Sequence, residues 1–124
     1  ATPFMMQRTK DEVKYVKYGK VTFEYNGKSH NLSLYQNLDL IESDPDYSNH
    51  LFLPFTDLTN GKETYGGGRY LDLEIPGGPE IFINFNKAYN PYCAYNKKYS
   101  CPIPPKENHL NMRVEAGVKK FKQH

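Results

Sequence analysis

Much that would announce a function is missing from this sequence. No apolar run approaches the length of a membrane span, so no transmembrane helix is expected. No signal peptide is visible either, although a chain that starts "ATPFMM" is compatible with the earlier removal of one. The net charge is +2 with a pI near 8.5, and basic residues cluster only at Lys97-Lys98 and in the tail "KKFKQ". Without a basic face, nucleic acid is not an expected partner. Cys-x-x-Cys spacing, a Walker pattern and a Gly-x-Ser-x-Gly elbow are all absent, which removes the familiar redox, nucleotide and serine-nucleophile signatures. Nothing calls for a cofactor or a metal. Helix signal is scarce as well: Thr9 opens a Thr-Lys-Asp-Glu capping box, but the residues that follow lack a 3.6-residue period.

What is present is aromatic. Hydrophobic residues make up 38% of the chain and the mean hydropathy is -0.78, values low enough to raise the question of disorder. Aromatic residues at 15% answer it, because each buries a large area. A chain of 124 residues is one domain by size, and a domain of this length buries roughly two-thirds of its unfolded surface. A single domain over residues 1–124 is expected, with residues 1–12 as a poorly ordered arm.

The patterning is that of strands. In "KVTFEYNGKSHNLSLYQNLDLI", Val21, Phe23 and Tyr25 alternate with polar residues, and alternation resumes at Leu32 and Leu34. Asn26-Gly27 is the preferred pair for a type I′ turn, which sets Tyr25 opposite Lys28, Phe23 opposite His30 and Val21 opposite Leu32. "LFLPF" reads as a strand that Pro54 places at an edge or ends. "YLDLEI" and "IFINF" read as two more around "PGGPE", with Ile75 paired to Ile81 and Asp72 set opposite Asn84. "MRVEAGV" is a last candidate. The expected fold is all-β, a small antiparallel sandwich or partly open barrel of about six to eight strands, carrying one disulfide-closed, proline-rich irregular segment.

That segment holds both cysteines, Cys93 and Cys101, with seven residues between them. In a cytosolic protein they read as thiols and in an exported one as a disulfide. A metal site with His109 as third ligand competes, but structural zinc usually takes four ligands with tighter cysteine spacing, so the disulfide is preferred. Closing a loop of this size removes denatured-state entropy worth about 2.5 kcal/mol.

The words "LFLPFTDLTNGKETYGGGRYLDLEIP" and "FNKAYNPYCAYNKKYSCPIPPKENHL" resemble the bacterial family called domain of unknown function 1684. The resemblance implies an exported or lipid-anchored envelope protein of the kind frequent in the Bacteroidota, hence the periplasm or cell envelope and an oxidising compartment. It implies no activity. It also implies that a family-wide role would lie in the belt from Gly66 through Arg69 and from Asn86 to Asn108. The family pattern often has Asp where this chain has Asn84, in "IDFN" rather than "INFN", which weakens a catalytic-carboxylate reading there.

Three functions are consistent with this belt. Tyrosines interleaved with asparagines supply ring faces beside amide donors and acceptors, the mixture a sugar needs. Binding of a small polar ligand or glycan fragment is therefore the first expectation, with Arg69, Tyr70, Asp72, Asn84, Asn86, Lys87, Tyr89, Asn90, Tyr95, Glu107 and Asn108 as candidate contacts. The glycines of "YGGGR" with Arg69 raise an anion site, though such glycines also serve tight bends. The second function is a small envelope hydrolase using Asp72, Lys87 or Glu107 for acid-base work. The third is a structural partner in an envelope complex, which would show a broad apolar patch.

Overall fold

The computed structural model describes residues 3–96 and 100–116, so Lys97, Lys98, Tyr99 and the basic tail lie outside the described residues. Five antiparallel strands form a curled half-barrel in the order β1 (Phe4–Gln7), β2 (Glu12–Tyr25), β3 (Lys28–Asn37), β4 (His50–Phe55) and β5 (Arg69–Glu74). The partly open barrel is thus the architecture found. Within the stretch expected as an arm, Phe4–Gln7 pairs with β2 from Phe4↔Tyr15 to Gln7↔Glu12. Among the described residues helix is confined to the short α1 (Leu38–Ser43), capped by Asn37, and to short 3-10 turns.

The β2–β3 hairpin follows the sequence rules closely. Asn26 and Gly27 both have positive φ, 51° and 74°, as a type I′ turn demands, and the pairs Tyr25↔Lys28, Phe23↔His30 and Val21↔Leu32 form as read. His30 stacks on Phe23 with ring centroids 5.5 Å apart. A bulge between Lys17 and Gly19 shifts the register and allows so long a hairpin to curl.

Alternation sorts the core onto the two sides of the sheet. Leu32 and Leu34, then Leu51, Leu53 and Phe55, then Leu71 face one side, where Ala88, Leu110 and Val114 complete a buried cluster. Met6, Tyr15, Tyr35, Phe52 and Tyr70 face the other and form a second, aromatic cluster. β4 is covered on both sides, which is why it reads as an unbroken apolar run.

Pro54 does not make β4 an edge strand. It ends the ladder locally: β3 and β4 share the single pair Tyr35↔Phe52, and the side chain of Asn108 takes over beside Pro54. The Ser33 amide donates to Asn108 Oδ1 at 2.7 Å, while Asn108 Nδ2 donates to the carbonyls of Ser33 at 2.9 Å and Pro54 at 2.7 Å. One buried amide thus supplies the pairing a proline withholds.

Two expected strands are absent among the described residues. Ile81, Ile83 and Phe85 do pack against the first cluster, yet residues 81–84 form no ladder with β5, and Asp72 does not face Asn84. Asn84 instead accepts from the Asn86 amide at 3.0 Å and caps the turn Phe85–Lys87, a local bond that competes with strand pairing. Residues 112–116 of "MRVEAGV" are likewise not a strand, because buried side chains bind their main chain. Val114 N–H donates to Asp57 Oδ2 at 2.5 Å, and Arg69 donates to the carbonyls of Val114 and Ala116, each at 2.7 Å.

Candidate functional site

The outer strands of the half-barrel are β1 and β5, and residues 89–96 and 100–103 together bond to both. Tyr89 and Tyr70 exchange two main-chain hydrogen bonds at 2.9 and 3.0 Å on the β5 side. On the β1 side, Ile103 N–H donates to the Gln7 carbonyl at 2.8 Å and Thr9 N–H to the Cys101 carbonyl at 3.0 Å. These residues form a strap across the opening, and it carries the Cys93–Cys101 disulfide, with Cα atoms 6.3 Å apart. Tyr70 Oη, buried in the sheet, donates to the Pro102 carbonyl at 2.5 Å and ties the strap to the aromatic cluster beneath it.

Between strap and sheet lies a cleft of about 370 Å³, within the range of small-molecule sites. Tyr15, Phe52 and Tyr70 contribute from the sheet, Tyr89, Tyr92 and Pro102 from the strap. Phe52 and Tyr70 meet edge to face at 4.8 Å, and Tyr70 and Tyr89 do so at 5.7 Å. The polar centre of the cleft is Asp72. One carboxylate oxygen lies 2.8 Å from His50 Nε2, and the other accepts from Tyr89 Oη at 2.7 Å. Burial pulls this carboxyl upward, but the bonds from His50 and Tyr89 outweigh it and leave it below the usual carboxylate range. Burial, reinforced by the bond to Asp72, raises the Tyr89 phenol. The result is a carboxylate held ionised and oriented between two donors.

Of the candidate contacts, the fold brings Tyr70, Asp72, Tyr89 and Asn90 together in this cleft. Tyr95 joins them indirectly, its hydroxyl accepting from Asn90 Nδ2 at 3.1 Å. The others lie elsewhere. Arg69 is wholly buried on the opposite side of the sheet, 3.6 Å from Asp57 and above the Phe55 ring. Gly68 turns the chain toward it at φ +92°, where an added Cβ would come within 2.6 Å of the Phe55 carbonyl oxygen, so "YGGGR" serves a close approach of main chain. Asn84 is a turn cap, Asn86 and Lys87 are exposed on that turn, and Asn108 is the strand bridge. Glu107 accepts from Tyr35 Oη and pairs with Lys17 at 3.1 Å.

His50, Phe52 and Tyr15 line the cleft without having been singled out in the sequence. The alternation of "HLFLPF" contains part of the signal, since His50, Phe52 and Pro54 must share a face. What it lacks is the partner: only the β4–β5 register, with Phe52 opposite Asp72, sets His50 diagonally beside that carboxylate.

Comparison with known proteins adds a fold and a family but no activity. No curated protein matches the chain. The solution NMR structure of an uncharacterized protein from Haloarcula marismortui is 37% identical with a TM-score of 0.76, the match covering 99% of this chain and 67% of that one. A family match runs over residues 1–119, and the chain belongs to the family described as "Protein of unknown function (DUF1684)".

Proposed function

We propose that the domain binds a small hydroxyl-bearing ligand, such as a glycan fragment, in the cleft between sheet and strap. The observation that carries this reading is the Asp72 carboxylate, fixed by His50 and Tyr89 in a cleft walled by aromatic rings. Sugars pack their C–H faces on rings and direct hydroxyls to oriented acceptors, and both features are present here. Among the described residues lining the cleft there is no Lys or Arg, and the charged group there is Asp72, so a neutral or cationic ligand suits it better than an anion. The disulfide, Pro91 and Pro102 fix much of the strap beforehand, which lowers the ordering cost of binding. We also place the domain outside the cytosol, in the periplasm or cell envelope. The Cys93–Cys101 bond supports this, because such bonds persist in oxidising compartments.

A thermal-shift panel of neutral oligosaccharides, amino sugars and phosphorylated metabolites tests the binding reading on wild type, Asp72→Asn and Tyr89→Phe. Neutral or amino sugars are expected to raise the midpoint of the wild type and to raise it less in both variants, with no response to the phosphorylated compounds. Equal shifts in all three proteins would remove the assignment.

The His50–Asp72 contact favours one second reading, a small hydrolase in which Asp72 orients the imidazole as a general base. Lys87 and Glu107 take no part in it, since neither lines the cleft. Turnover of chromogenic glycosides or esters that disappears in His50→Ala would establish it, and no turnover by the wild type would set it aside.

A further inference from the structure

We propose that the free edge of β5 receives an extended, basic segment of a partner protein as a sixth strand, an interaction that goes beyond the cleft reading. The β4–β5 register shows which way the main chain of β5 points. Pro54 has no N–H, and it is paired with Tyr70, so Tyr70, Asp72 and Glu74 occupy the positions that exchange no hydrogen bonds with β4. Their N–H and C=O groups face away from the sheet, as the two bonds between Tyr70 and Tyr89 confirm. Beyond that rung the edge is unpaired among the described residues. The N–H and C=O groups of Asp72 and Glu74 have no hydrogen-bond partner among the described residues, and both residues are exposed.

Tyr89 therefore supplies the first rung of a missing strand, and an added segment would continue the ladder with two donors and two acceptors, the main-chain mode of strand addition. Charge selects the occupant. Both outward-bonding positions carry carboxylates, and Glu74 makes no ion pair among the described residues. Both oxygens of Asp72 are already engaged by His50 and Tyr89, so Glu74 carries the open charge that a Lys or Arg of an extended segment would answer, with Asp72 adding to the negative field along the edge. A second copy of this chain would not: antiparallel pairing about Leu73 sets Asp72 opposite the Glu74 of the other copy, and like charges directly opposite destabilise a pair. The same carboxylates protect the edge from indiscriminate pairing.

The probe is acetyl-Lys-Val-Lys-Val-Lys-amide, with its Glu counterpart as control, titrated into the labelled protein at low salt and followed by NMR shift and amide exchange. The basic peptide is expected to slow exchange at the Asp72 and Glu74 amides selectively, and the acidic one to leave them unchanged. Glu74→Pro removes one outward donor at a position where an edge strand tolerates proline, and is expected to weaken binding about tenfold. Glu74→Lys keeps the experiment decisive where proline disturbs β5, and is expected to shift preference toward the acidic peptide. No change at these amides with millimolar basic peptide, or equal binding of both peptides, would overturn the proposal. So would slowed exchange without peptide in a protein that sediments as a dimer, which would assign the edge to a second copy.

Discussion

Asp72 is the residue on which most of the cleft chemistry converges, and its protonation should be visible in stability. Its folded pKa is depressed because the bonds from His50 and Tyr89 outweigh burial. The stability this confers is fully present above the unfolded value of about 4 and is lost as pH falls through the lower folded value. Urea denaturation of wild type and Asp72→Asn should therefore show a difference that is constant near neutrality and shrinks below about pH 4. A difference independent of pH would mean that the carboxylate is not held in this way. The tyrosines give a second signal. Burial pushes Tyr15 up to about 12 and also raises Tyr35, Tyr70 and Tyr89. Raised phenols stabilise the fold below the unfolded value near 10 and cease to do so as pH climbs through the folded values. In an alkaline absorbance titration these tyrosines are expected to ionise only with unfolding. Ionisation of all 11 tyrosines near pH 10 with the fold intact would contradict their burial.

Among the elements, the β3–β4 junction rests on one side chain. Replacing Asn108 with Ala would leave the Ser33 N–H and the Ser33 and Pro54 carbonyls buried without partners. A loss of about 3 kcal/mol is expected in equilibrium denaturation, larger than for Asn86→Ala on an exposed turn. This junction also marks where sequence reading stops. The β2–β3 hairpin was legible to the residue pair, because turn chemistry and alternation are local and point the same way. Pro54 announced an interrupted ladder, but the group that repairs it lies 54 positions away and gave no local signal. "IFINF" has the alternation of a strand, and its apolar side does reach the core. The Asn84 cap, a local bond no alternation reveals, diverts its main chain into a turn. The candidate site divides in the same way. Tyr70, Asp72, Tyr89 and Asn90 were readable from the aromatic and polar belt. Arg69 was misplaced because it belongs to the opposite face of β5, and its partner Asp57 lies in another loop.

At the scale of the whole molecule, an open sheet with a modest core is closed by a strap bonded to both of its outer strands. The disulfide constrains that strap in the unfolded chain as well as in the native one. The Cys93→Ser/Cys101→Ser double variant is expected to lose about 2.5 kcal/mol, measured by urea denaturation. Amide exchange should accelerate in the strap while the β2–β3 hairpin keeps its protection. Uniform loosening of strap and hairpin together would show that the strap is not a separate closing element. The cleft exists because the strap bridges the aromatic side of the sheet, so closure and recognition depend on the same contacts. The most direct test is an NMR titration with the sugar that gives the largest thermal shift, comparing wild type and Asp72→Asn. The structure predicts shifts concentrated at the amides of Tyr70, Asp72, Tyr89, Asn90 and Cys101 and largely lost in the variant. Shifts scattered over the sheet, or unchanged by the substitution, would contradict a binding site built on Asp72.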